Sequence, residues 1–176
     1  MGGFVGIVNY SANYLYELGG LTGLLWGIAE KIEGGCTDSV DIVDDCCAFV
    51  MNSNRVIKAE NYYKRNNGGV YYLLTDGWSD GKALIRLLLT GGPSFPANAG
   101  SSLSGAFFAV SEKKLILFSR GFESKPLYFW KDGEEFIFGS SIKAMAHYRP
   151  PGANQIEMVP PGGKVIYDAM GIAVLL

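Results

Sequence analysis

The sequence predicts an α+β fold with two stacked, mainly antiparallel sheets and helices on their outer faces. Short apolar segments between turn residues dominate the 176 residues, which include 24 Gly, 10 Tyr and 10 Phe; this composition is typical of β-rich chains. Two longer segments and one short segment have helical spacing. Several strands are apolar on both faces and therefore need cover on both sides.

The totals exclude several classes of protein. Hydrophobic residues make up 48% and charged residues 18% of the chain, which predicts one domain, residues 1–176, with a real core. A net charge of −2 provides no basic surface for nucleic acid or an anionic membrane. The apolar helical segment 14–32 is interrupted by glycines and charges, so it is a poor membrane span. We expect a cytoplasmic protein.

The first half of the chain begins with a predicted strand at residues 3–9 and a helix at residues 13–32. Residues 37–45 are expected to form a polar, acidic loop. A strand follows at residues 46–51, and Asn52, Ser53 and Asn54 have the composition of a turn.

The second half has regular apolar segments with clear turn signals. Ser79 can cap a helix that ends near Thr90. Ser140 or Ser141 can cap a second helix over residues 142–147. The other expected elements are strands, at residues 70–75, 106–110, 115–119, 127–130, 135–139, 163–167 and 172–175.

The cysteines do not form a recognisable framework. Cys36, Cys46 and Cys47 are an odd number, and neither they nor His147 have the spacing of a zinc site. We expect buried thiols that behave as small hydrophobic side chains, with no metal and no other cofactor.

Four blocks of sequence occur in a specific order: LSGAFFA at 103–109, Arg120 followed by KPLY at 125–128, FIFGSSIKA at 136–144 and VPPG at 159–162. This order resembles class II glutamine amidotransferase domains, especially the N-terminal domain of asparagine synthetase. The resemblance implies the four-layer αββα sandwich of N-terminal nucleophile hydrolases. It also implies that the ligand is glutamine or a related amino acid.

The N-terminus departs from that family. Family members begin Met-Cys-Gly, whereas Gly2 stands at the position of the cysteine here. The family reaction needs a thiolate nucleophile with the α-amine of the same residue as its base. Glycine supplies the amine without the thiol, and an internal cysteine cannot supply both. The family's arginine-containing H-R-G-P-D and R-L-S-I segments are also missing.

The resemblance suggests substrate-binding positions in the second half. Ser79 and Asp80 resemble the family's S-D-T-E, in which the aspartate holds the amine of glutamine; the alternative is an acid that stabilises a helix N-terminus. Arg120 belongs to a basic elbow with Lys125, which could meet an anion or could lie at a solvated hairpin end.

The family's oxyanion Asn-Gly has two weak candidates in this sequence. They are Asp76-Gly77 and Asn67-Gly68. An aspartate cannot donate a hydrogen bond as an asparagine amide does, so Asp76 would not reproduce this function.

Three functions are consistent with these observations, and they leave open whether the chain is an enzyme. The first is an amidotransferase-like domain without glutaminase activity, acting as a binding or structural module for a synthetase-type partner or in a homo-oligomer. The second is an active glutaminase domain in which glycine has replaced the natural nucleophile. The third is a nucleotide-acting enzyme on the same fold.

Overall fold

A computed structural model describes residues 3–14, 18–32, 38–53, 63–66, 69–76, 81–90, 102–120, 124–152 and 155–176. The chain divides into two compact units. The first contains Met1–Ile57 and Tyr128–Met158, and the second contains Lys58–Leu127 and Val159–Leu176. The single domain expected from the chain length stays a prediction.

The described residues form twelve strands and three helices. In chain order they are β1 (Gly3–Val8), α1 (Leu18–Lys31), β2 (Asp38–Asp44), β3 (Cys47–Ser53), β4 (Tyr63–Asn66), β5 (Gly69–Asp76), α2 (Gly81–Thr90), β6 (Leu103–Ala109), β7 (Lys114–Arg120), β8 (Tyr128–Asp132), β9 (Glu135–Gly139), α3 (Ile142–Tyr148), β10 (Glu157–Met158), β11 (Lys164–Asp168) and β12 (Gly171–Leu175).

The first unit contains a six-stranded antiparallel sheet in the order β10-β8-β9-β1-β3-β2. Alternate residues of β1, including Val5 and Ile7, belong to a core cluster with residues of α1 and α3, because successive side chains of a strand point to opposite faces. The other face of this sheet carries buried phenylalanines, with the rings of Phe49 and Phe138 6.0 Å apart.

The second unit contains the other six-stranded antiparallel sheet, in the order β12-β11-β7-β6-β5-β4. Leu84 and Ile85 of α2 form a core cluster with apolar residues of β5, β6 and β7. Strand β6 is buried along its whole length, as expected for a central strand that is covered on both faces.

The structure confirms most of the expected elements, including the N-cap of α3, where the Ser141 hydroxyl accepts a hydrogen bond from the backbone of Ala144. The loop expected at residues 37–45 is wrong, because residues 38–44 form β2 and pair along their length with β3. The turn expected at Asn52 and Ser53 is also wrong, since both belong to β3. No helix in the described part of the chain is long and apolar enough to span a membrane.

Candidate functional site

The nucleophile of the family that the sequence resembles would stand at residue 2, directly before the N-terminal end of β1. Gly3 pairs with Asn52 of β3. The Phe4 amide donates to the Ser140 hydroxyl at 3.0 Å, and the Ser140 amide donates to the Phe4 carbonyl at 3.0 Å. Residue 2 lies outside the described residues, but the strand to which it is joined is fixed on both sides.

Space around Gly3 is very limited. A Cβ at this position would lie 2.7 Å from the Ser140 hydroxyl oxygen and 2.8 Å from Cγ2 of Ile32. Both distances are shorter than normal contacts between non-bonded atoms. The start of β1 therefore accommodates a glycine and little else.

Asn52 is the functional candidate that the sequence analysis missed. Its Nδ2 donates to the Ala29 carbonyl of α1 at 2.6 Å, while its buried Oδ1 has no hydrogen-bond partner among the described residues. A buried amide oxygen without a partner is costly, which makes this position unusual. The only hint in the sequence is that the Asn52 amide directly follows the apolar CCAFVM segment. The composition of residues 52–54 predicts a turn there instead.

The cysteines of the described residues lie at the other end of β1. Cys47 pairs with Val8, and Cys46 accepts the backbone hydrogen bond of Asn9. Gly3 and Val8 are five residue steps apart along an extended strand, which corresponds to about 17 Å. Cys36 lies outside the described residues.

The environment of Cys47 also opposes nucleophilic chemistry. Burial raises the pKa of its thiol well above the usual range, with smaller contributions from Cys46 and from the negative charge of Asp44. Because the thiolate is the reactive form, this buried side chain is an inert thiol. The expectation of buried thiols is confirmed for Cys46 and Cys47.

A carboxylate cluster centred on Glu135 occupies the same end of the sheet. Oε1 of Glu135 accepts from the hydroxyl of Tyr148 at 2.6 Å and from that of Tyr14 at 3.2 Å. Its Oε2 lies 3.2 Å from Nη2 of Arg149, an ion-pair distance without hydrogen-bond geometry. The guanidinium also donates to Asp132, and this hydrogen bond raises the pKa of Arg149.

The Glu135 cluster has a structural role, because the carboxylate is held by two tyrosine hydroxyls and by the guanidinium of Arg149. It joins the segment before α1, through Tyr14, to β9 and to the end of α3. Among the described residues, no group of three or more His, Cys, Asp or Glu is arranged to hold a metal ion. The cysteines among the described residues near β1, Cys46 and Cys47, are both buried, so neither is an accessible nucleophile.

Two of the expected substrate-binding positions lie at one end of the sheet in the second unit. Asp76 ends β5 and pairs with Ser104, and Arg120 ends β7 and pairs with Leu103. The backbones of Asp76 and Arg120 therefore flank the start of β6, about 10 Å apart. The hydroxyl of Ser104 is fully buried and has no hydrogen-bond partner among the described residues.

The remaining expected site residues lie outside the described residues. They are Gly2, Gly77, Ser79 and Asp80, together with Asn67 and Gly68. Helix α2 begins at Gly81, so Ser79 and Asp80 immediately precede it in the chain.

Comparison with known proteins identifies the fold. A glutamine phosphoribosylpyrophosphate amidotransferase from B. subtilis, solved in complex with ADP and GMP, aligns with a TM-score of 0.57 and 14% sequence identity over 98% of this chain and 48% of its own. A structure described as the allosteric regulatory enzyme of purine biosynthesis aligns over the same shares with a TM-score of 0.56 and 14% identity. No family profile and no curated protein match the sequence.

These similarities confirm the α+β fold with two mainly antiparallel sheets, and they confirm the resemblance to a glutamine amidotransferase at the level of the fold. At 14% identity they show the fold alone. The chain spans about half the length of the solved chains that it matches.

Proposed function

We propose that this chain is a glutamine amidotransferase-like domain of the asparagine synthetase type that has no glutaminase activity. It acts as a binding or structural module for a partner with a synthetase-type domain. The observation that carries the proposal is the separation along β1: Gly2 precedes one end, whereas Cys46 and Cys47 lie at the other.

Loss of the nucleophile is supported by the surroundings of Gly3. The Ala29 carbonyl already holds one N–H of the Asn52 amide, an amide that could otherwise stabilise an oxyanion beside β1. A hydrolytic reaction at this position would lack its thiol and part of its hydrogen-bonding capacity.

Retention of an amino-acid ligand is the second part of the proposal. Asp80 precedes α2 and resembles the family residue that holds the amine of glutamine. A carboxylate can bind an ammonium group through a charge-assisted hydrogen bond without any nucleophile. The domain could therefore sense or position glutamine without hydrolysing it.

The glutaminase part is tested by measuring ammonia release from glutamine for the native chain and for Gly2→Cys, after confirming by mass spectrometry that Met1 has been removed. We expect no release above background from either protein, because the cysteine alone does not restore the missing arginine segments. Release by the native chain would overturn the proposal. Release by Gly2→Cys alone would support a glutaminase domain that lacks only its nucleophile.

The binding part is tested by calorimetric titration of glutamine into the native chain, Asp80→Asn and the control Asp41→Asn. Asp41 is exposed on the edge strand β2. We expect Asp80→Asn to weaken binding about tenfold or more, with no effect of the control. Equal binding by all three proteins would exclude Asp80 as the amine-binding residue.

The partner is tested by affinity purification of the tagged chain from its natural source, followed by mass spectrometry. We expect recovery of a protein with an ATP-using synthetase domain, or of such a domain on the same polypeptide. Recovery of the chain with neither would contradict the proposed module.

A further inference from the structure

The edge strands of the two sheets differ in their charge. Natural sheets protect their edges from pairing by placing charged residues on them or by keeping them short. Edge strand β2 carries Asp38, Asp41 and Asp44, β4 carries Lys64 and Arg65, and β10 has two residues, one of them Glu157. Among the four edges formed by the described residues, only β12 has neither protection, since residues 169–176 contain no charged side chain.

The outer edge of β12 is held in a form that is ready to pair. Five residues of β12 pair in register with β11. The connecting turn is fixed by Asp168, whose side chain accepts a hydrogen bond from the Met170 amide at 2.8 Å, and by Gly171 with a φ of +121°. The backbone of β12 is therefore already extended, and the N–H and C=O groups on its outer edge can pair with another strand without a change of conformation.

The apolar rows of this sheet continue onto β12 without cover. In one cross-strand row Leu115 and Tyr167 are buried, but their neighbour Ile172 is 42% exposed. In the next row Leu117 and Val165 are buried, and their neighbour Val174 is 49% exposed. Both rows of apolar side chains therefore continue from the buried strands onto β12, where their last members are partly exposed. A strand added beside β12 would extend both rows.

The charges on the edge strands indicate which strand of another copy is the best pairing partner for β12. Pairing with β2 or β4 of another copy would place aspartates or basic residues against Ile172 and Val174, at a desolvation cost. Another β12 is uncharged and apolar, and an antiparallel strand can pair with itself about a two-fold axis. Centred on Ala173, this pairing places Ile172 of one copy opposite Val174 of the other.

We infer that β12 is a dimerisation strand, which pairs antiparallel with β12 of a second copy of this chain. The inference rests on the sheet edge and is independent of the proposed loss of glutaminase activity. It gives the chain an isologous interface in which the two sheets continue into one another.

The first test measures the mass of the 176-residue chain by sedimentation velocity over about a hundredfold range of concentration. We expect a concentration-dependent dimer of two 19.0 kDa chains. Val174→Lys should raise its dissociation constant about tenfold or more, since two like charges would enter the interface. The matched control is Ile156→Lys, on a residue of similar exposure (40%) that belongs to the other unit, which should leave the dimer unchanged. Circular dichroism establishes that both variants are folded.

A second measurement tests the register. Ala173→Cys would bring two cysteines together at the two-fold axis in a non-hydrogen-bonded pair, because the N–H and C=O groups of Ala173 point towards its partner Ile166 on β11. The Cα distance of such a pair, about 4.5 Å, lies within the range of disulfides. Mild oxidation should therefore link the variant into a covalent dimer, while the native chain stays unlinked. A native chain that is monomeric at all concentrations, equal weakening by both lysine variants, or failure of Ala173→Cys to cross-link would each overturn the inference.

Discussion

The two ends of β1 have opposite properties. At the N-terminal end, the backbone of Gly3 packs tightly against Ser140, and residues 2 and 3 are glycines without a thiol. At the C-terminal end, Cys47 supplies a thiol that burial keeps protonated. Nucleophilic catalysis needs a reactive group in an accessible, polarising site. Among the described residues, one end of β1 has no thiol and the other end has a thiol that is buried.

The largest effect is expected from filling the narrow space near the N-terminal end. Gly139→Ala would place a Cβ 2.5 Å from the Phe4 carbonyl oxygen and 3.1 Å from Cα of Val5. Since these are backbone atoms that cannot rotate away, we expect a loss of about 3 kcal/mol in the free energy of unfolding, measured by urea denaturation.

The control for Gly139→Ala is Gly23→Ala, at a helical position with no atom within 4 Å of the new Cβ. It should be neutral or stabilise the protein by up to about 1 kcal/mol. If Gly139→Ala were as harmless as this control, the tight packing near the start of β1 would not constrain the fold.

A smaller effect is expected at the C-terminal end. Glu135→Gln replaces a carboxylate that accepts from two tyrosines and pairs with Arg149 by an amide that carries no charge and directs donors at the guanidinium. We expect a loss of about 2 kcal/mol, detected as a lower urea midpoint.

Glu134→Gln serves as the matched control for Glu135→Gln, because Glu134 is the exposed neighbour in the same turn. Its effect should stay within about 0.5 kcal/mol. Equal effects of the two variants would show that the Glu135 cluster contributes no more than a surface charge.

The smallest expected effect concerns the Cys47 thiol and pH. Its pKa is raised by folding, so the stability that it provides is complete below the pKa of the unfolded thiol and is lost as pH rises. From an unfolded pKa near 8.5, the loss at pH 9.5 should be about 1.4 kcal/mol.

Comparison of the native chain with Cys47→Ala isolates this contribution, since other groups titrate equally in both proteins. We expect the stability difference between the two to shrink from pH 7.5 to pH 9.5 in urea titrations. A stability difference that is independent of pH would mean that the folded state accommodates the thiolate. The Cys47 thiol would then not be kept protonated by burial, contrary to the contrast between the two ends of β1.

Local sequence patterns determined most of the secondary structure. The β6–β7 and β8–β9 hairpins, the cap of α3 by Ser141 and helix α1 follow from apolar spacing, turn residues and capping chemistry. These signals act over a few residues, so they can be interpreted without the rest of the fold. Strand β2 escaped prediction because three aspartates mask its pattern, and its pairing with β3 outweighs local propensity.

The sequence by itself determined that glycine stands at residue 2, where the family that the chain resembles has cysteine. Only the tertiary structure decided that Asn52 lies beside Gly3 and that Cys47 lies beside Val8, at the far end of β1. It also decided that Tyr14 contacts Glu135, which is 121 residues away in the chain. The physical reason is that strand register and long-range packing are set by the whole sheet. No short segment contains the information that brings these groups together.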